Sequence, residues 1–165
     1  MMDSCAEEFR SKLREGLRPL QDPLTTALQQ LVEYEYPPEV VAIAFEVFPD
    51  TWSQGFPARA FFLDESNNEH FIFINGEVQY PSPIDPGMLD VAGIVTAEYE
   101  NNLRVRDPNL DTFSIGAEEF IAWFAVCWQK AVGTEFQLRA TIADHDSDRE
   151  LDLRTGRWQD RYTGF

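Results

Sequence analysis

Residues 40–48 read Val40-Val41-Ala42-Ile43-Ala44-Phe45-Glu46-Val47-Phe48. Val41, Ile43, Phe45 and Val47 alternate with Ala42, Ala44, Glu46 and Phe48. An extended chain with this pattern has one face fully apolar and the other partly so, as in a strand packed against a core. Downstream, 58–63 reads as a second strand, Ser66-Asn67-Asn68-Glu69 as a polar turn, and 70–75 as a third strand with Phe71 and Phe73 opposite Ile72 and Ile74. Asn75-Gly76 is a strong tight-turn signal, and 77–80 follows as a short fourth strand. Strands joined in this order by short turns predict an antiparallel meander.

Upstream lie two helical patterns. Over 4–18, Ser4 and Glu7 form a capping box and Phe9, Leu13 and Leu17 share one face. Pro19 interrupts. Asp22-Pro23 then reads as an N-cap followed by proline, with Leu24, Leu28, Leu31 and Val32 as the next apolar stripe. Tyr36-Pro37-Pro38 ends it.

Beyond the meander, 81–87 reads as a rigid loop in which Asp85-Pro86 would cap a helix carrying Met88, Val91, Ala92, Val95 and Tyr99, although Gly93 weakens that pattern. Residues 101–113 are polar and turn-rich. The clearest helix covers about 117–131, opened by Ser114 or Thr112, with Glu118 and Glu119 early, Lys130 late and Gly133 as C-cap. Its run from Phe120 to Trp128 is wholly apolar, so it belongs centrally on the sheet and is too short for a membrane span of about 20 residues. A strand at 136–143, a turn at Asp144-His145-Asp146-Ser147-Asp148, a strand at 149–153 and a turn at Thr155-Gly156 leading to Trp158 close the chain. The expected architecture is a single α+β domain over 1–165, with a helical segment at about 4–35. Its antiparallel sheet has five or six strands, a meander plus a C-terminal hairpin, and helices pack on one face.

The chain has 165 residues, 29 acids against 13 bases and a formal charge of -16. An aromatic content of 13% excludes disorder for most of it. The charge excludes direct binding to a nucleic-acid backbone, which needs a basic face. Its N-terminus has neither the basic nor the apolar region of a secretory signal, so the cytoplasm is the expected compartment. Of the 13 bases only Lys12 and Lys130 are lysines, an arginine bias that suggests a GC-rich bacterial genome. Two cysteines are too few for a disulfide scaffold or a zinc knuckle, and Cys127 reads as a small core residue.

Between Glu33 and Glu100 thirteen acids face a single base, Arg59, so twelve of the sixteen excess negative charges sit there, whereas the last 27 residues hold six acids and five arginines. A solubilising surface accounts for such a distribution, and so does steering toward a basic protein. In the loop 49–57, Trp52 either folds back on the sheet or serves as an aromatic anchor inside an acidic rim.

Catalytic motifs are absent. The aspartates around His145 suit a hairpin tip and lack the glycine and distant glutamate of an EF-hand. Glu98 and Glu100 would point about 200° apart on a helix, a poor acid/base pair. His70 opens a strand beside Glu69, and no phosphate loop or nucleophile elbow occurs. No cofactor is indicated.

The segments 41–47 and 70–74 and the hairpin 136–153 stand in an order of helix, strands, aromatic helix and closing hairpin. In that order and in acidity the chain resembles small bacterial immunity or antitoxin proteins of the YezG-like kind, and the stretch from 81 to 113 departs from the pattern. The resemblance implies an inhibitor of a partner protein and assigns no residue a role.

The expected function is therefore non-enzymatic binding of a basic partner protein through Glu46, Asp50, Trp52, Asp64, Glu65, Glu69 and Glu77. The alternatives are a small-ligand-binding protein, an enzyme with a dispersed site between sheet and helices, and a homodimer subunit.

Overall fold

The computed structural model describes residues 4–70, 72–74, 77–79, 88–133 and 135–161. Among the described residues there are four α-helices: α1 (Cys5–Leu17), α2 (Gln21–Glu33), α3 (Ala97–Arg106) and α4 (Thr112–Ala131). The strands among the described residues are β1 (Ala42–Val47), β2 (Ala58–Leu63), β3 (Ile72–Ile74), β4 (Glu77–Gln79), β5 (Arg139–Asp144), β6 (Arg149–Asp152) and β7 (Arg157–Asp160).

The fold is α+β, but the main sheet is mixed rather than antiparallel throughout. Its five strands run in the order β2-β1-β5-β6-β7, and β1 pairs with β5 in parallel, Ala42 opposite Arg139 through Val47 opposite Asp144. The physical reason is α4. This 20-residue helix starts near the turn Pro49–Thr51 that follows β1 and runs back along the sheet. The strand after it therefore begins at the end where β1 begins. The meander also stops early. Among the described residues β2 meets the chain that follows it at a bridge between Leu63 and Glu69, where His70 donates to the Phe62 carbonyl at 2.7 Å, and β3 and β4 form a separate antiparallel pair. The turn expected at Asn75-Gly76 and the loop 81–87, with its cap at Asp85-Pro86, lie outside the described residues.

β1 and β2 bury Ile43, Phe45, Val47, Ala58, Ala60 and Phe62 on one face. α4 covers that face, with Phe45 centred 4.8 Å from Phe124 and 5.7 Å from Trp128. Behind α4 pack α1, with Phe9, Leu13 and Leu17, and α2, with Leu24, Leu28 and Leu31, all essentially inaccessible to water. Burying a leucine or phenylalanine is worth about 1.5–3 kcal/mol, so these stripes dominate the stability. Cys127 is fully buried, and burial pushes its thiol up against the opposing effect of Thr25, which makes it the inert core residue expected.

Several helix boundaries differ from expectation. α1 is capped as read, with the Ser4 hydroxyl accepting from the Glu7 N–H at 3.2 Å. The chain then continues through a 3-10 turn, Arg18–Leu20, straight into α2, so Asp22 lies in the first turn and is not the cap. α4 begins at Thr112, where the Asp111 carboxylate accepts from the Ser114 N–H at 3.0 Å, and it ends on an extended Val132 rather than on Gly133. The helix expected around 88–99 is an irregular strap instead. Ile94 donates to the Trp52 carbonyl at 2.7 Å, and Gly93, at φ +124°, lies where a Cβ would fall 2.7 Å from the backbone of Ser53. α3 starts only after Thr96 and runs through the stretch read as turns. Its apolar stripe is nearly absent, and it relies on Glu98 and Glu100 at its start and Arg104 and Arg106 at its end.

Candidate functional site

Parallel pairing of β1 with β5 sets their carboxyl ends side by side, so the segments that follow the two strands meet at one end of the sheet. His145 follows β5 and donates its backbone N–H to the Val47 carbonyl at 2.8 Å. Its ring then stacks on Phe48, centroid to centroid 4.6 Å. Glu46 points to the sheet face away from α4, the face that also carries Arg59, Phe61 and Ala143 by register. Its carboxylate reaches the Nδ1 of His145 at 3.1 Å and accepts from the guanidinium of Arg161. Arg161 also donates to the carbonyls of His145 at 3.2 Å and Ser147 at 3.0 Å. Residues 115 positions apart thus tie the aspartate-rich turn to β1.

In front of this cluster opens a cleft of about 370 Å³ lined by Phe48, Pro49, Asp50, Phe113, His145 and Asp146. Phe113, from the first turn of α4, is 44% exposed, unusual for a phenylalanine. The guanidinium of Arg59 lies 5.5 Å from the Phe48 ring centre and that of Arg104 5.3 Å from the Phe113 ring centre. Asp50 and Asp146 are exposed, and among the described residues neither enters an ion pair. Aromatic walls with unmatched carboxylates at the rim suit a flat cation.

A second cleft of about 370 Å³ lies where β2 turns, lined by Pro38, Glu39, Asp64, Glu65, Ser66 and His70. Asp64 shapes it, accepting from the backbone N–H groups of Ser66 at 2.9 Å and Asn68 at 3.0 Å while Asn67 takes φ 63°.

The residues expected to bind a partner are therefore dispersed. Glu46 and Asp50 belong to the first cleft region, and Asp64 and Glu65 to the second. Glu69 is exposed opposite Leu63, its carboxyl raised by partial burial and by the charge of Glu46. Glu77 begins β4, and its side chain lies outside the described residues. Trp52 is corrected. It is 1% exposed and cannot serve as a surface anchor, because its indole lies flat against α4 at Gly116, where a Cβ would fall 2.5 Å from the ring. Glu46 is likewise committed to Arg161 rather than free. The reading from sequence missed His145, Asp146, Phe113 and Glu39. The turn residues were visible but looked like hairpin chemistry alone, and nothing local joins Phe48 to residues near 113 and 145.

Glu98 is exposed while Glu100 is buried, accepting from Arg104 and Thr112 at 2.8 and 2.9 Å, so they do not act as a dyad. Among the described residues no group of three or more histidine, cysteine or acidic side chains is placed to hold a metal, and no helix is long and apolar enough to cross a membrane. No protein-family model, curated protein or solved structure matches the chain.

Proposed function

We propose that this protein binds a basic partner protein through carboxylates that its own fold leaves unmatched, as an inhibitor of the immunity or antitoxin type would. The supporting observation is where the arginines go. Among the described residues, only Glu46 and Glu100 of the central acids enter ion pairs. By contrast Arg10, Arg14 and Arg106 are spent on Glu118, Glu119 and Glu8. The loops and strand ends of the central segment keep their negative charge toward solvent, which raises encounter rates with a cationic surface and selects against acidic ones.

The test is capture from native lysate with wild-type protein and with Glu39→Gln, Asp64→Asn and Glu65→Gln combined. The expected partner is retained at low salt, released as salt rises, and lost with the triple variant. Retention that ignores both salt and the substitutions overturns the reading.

A second reading, a small ligand held between sheet and helices, is favoured by one feature. A cleft of about 310 Å³ opens between the end of α4 and the sheet, walled by Trp128, Phe136, Leu138 and Leu153 with Arg154 at its margin. A saturable change in tryptophan emission on adding an apolar compound, absent in Trp128→Phe, supports it, and an unchanged spectrum across a panel of such compounds removes it.

A further inference from the structure

We propose that the cleft at the carboxyl ends of β1 and β5 is the anchor point of that interaction and receives the guanidinium of an arginine from the partner. The proposal rests on the acidic-surface reading and adds to it a residue type and a place.

Shape and chemistry agree. The two phenylalanines belong to different elements, Phe48 following β1 and Phe113 opening α4, and both line one cavity. Each already has a guanidinium of this chain over its ring, Arg59 at 5.5 Å and Arg104 at 5.3 Å. Phe48 is already covered by the His145 ring at 4.6 Å and by Arg59, so the ring surface left for an incoming guanidinium is that of the exposed Phe113. Phe113 is 44% exposed, and an inserted side chain would cover it.

Charge decides between a cation and a neutral aromatic occupant. Glu46 is answered by Arg161, which also donates to the carbonyls of His145 and Ser147 and is not part of the cavity lining. Arg104 is held by Glu100 and Thr112. That leaves Asp50 and Asp146, exposed in the cavity lining and in no ion pair among the described residues, against the single guanidinium of Arg59 over Phe48, so the rim keeps a net negative charge. A planar guanidinium stacks on a ring and also donates to carboxylates at its edge, whereas a lysine ammonium does only the second well. Arginine is accordingly the better fit. The second cleft carries more carboxylates, Glu39, Asp64 and Glu65, but no phenylalanine, tyrosine or tryptophan lines it, so it attracts cations without selecting among them.

The two histidines make the test direct, because His145 lines the aromatic cleft and His70 the other. The imidazole NMR signals are followed at fixed pH during titration with N-acetyl-arginine amide, its uncharged citrulline analogue and a hexa-arginine peptide. Assignment comes from the variant His70→Asn. We expect the arginine amide to shift the His145 signal saturably and the citrulline analogue to bind roughly tenfold more weakly. Asp50→Asn with Asp146→Asn should weaken the amide by a similar factor. Phe113→Leu, which keeps apolar bulk at an exposed site, should do so by a few-fold. If the hexa-arginine peptide binds but moves only His70, the anchor is overturned while the acidic-surface reading stands. If neither peptide nor amide binds at low salt, both fall. Equal binding of the citrulline analogue, or undiminished binding by the double aspartate variant, also overturns the anchor.

Discussion

Two acidic regions of this molecule use the same side chain in opposite ways. Where α1 meets α4, Glu119 is 14% exposed and accepts from Arg10 at 3.1 Å and from Arg14 at 2.8 and 3.1 Å, Arg10 also donates to Glu118, and Glu8 of α1 takes Arg106 of α3. There a carboxylate is a joint between helices. Around β1, β2 and the turns that follow them, Glu39, Asp50 and Glu65 stand in solvent and enter no ion pair among the described residues. There a carboxylate is presented. Net charge alone hides the distinction, because a joint contributes as much formal charge as a presented group while offering a partner almost no field.

The comparison breaks most readily at its base. Trp52 holds the loop bearing Asp50 against α4, and Trp52→Ala should cost about 3–5 kcal/mol in chemical denaturation. Gly116→Ala, which drives a methyl into the indole, should cost about 1–3 kcal/mol by the same measurement. A loss below half a kcal/mol in either would show that the loop is not fastened there.

Glu119→Gln comes next, at about 1 kcal/mol, moderated because the arginines it holds are themselves partly in water. Glu39→Gln and Glu65→Gln, in contrast, should leave the unfolding midpoint within about 0.5 kcal/mol of wild type. Comparable losses in both regions would erase the division between joint and presented charge.

The finest test is the pH dependence. Burial works to raise the Glu119 carboxyl, but the hydrogen bonds from Arg14 and Arg10 outweigh it and hold the group below its ordinary 4.5. Its contribution is complete above that value and drains away as pH falls through the lowered one. Glu69 has the opposite sign. Burial and Glu46 raise it, so its ionisation penalises the fold above the raised value, and the penalty disappears as pH falls below 4.5. Unfolding midpoints should therefore show Glu119→Gln flattening the acid limb below 4.5, and Glu69→Gln removing a small penalty above it. Shifts of the same sign in both variants contradict the assignment.

Strands and helices with strong apolar periodicity were legible before any coordinates. The alternation in 40–48 became β1, the stripe of Phe9, Leu13 and Leu17 became α1, and the run around Phe120 and Phe124 became the helix on the sheet. What failed was periodicity without burial, and burial without periodicity. α3 buries only Glu100 and Leu103, so its pattern carries little of the amphipathic signal that marks a helix. Met88, Ile94 and Val95 are buried in an irregular strap whose spacing happened to look helical. The candidate site failed for a different reason. Trp52 stood out as an aromatic in a polar loop, yet only the packing of α4 at Gly116 put it inside, and His145 looked like turn chemistry until Glu46 lay beside it.

By itself, then, the chain's order of residues settled the strongly periodic strands and helices, which of their stripes face inward, and that its negative charge concentrates in the middle. Those properties depend on neighbours within a few positions, where side-chain direction follows from local geometry. The parallel seating of β5 against β1, the cleft assembled from residues near 48, 113 and 145, and the sorting of acids into joints and presented groups were decided only in three dimensions. Each depends on contacts roughly a hundred residues apart, set by how α4 doubles back across the sheet, and no local preference encodes such a return.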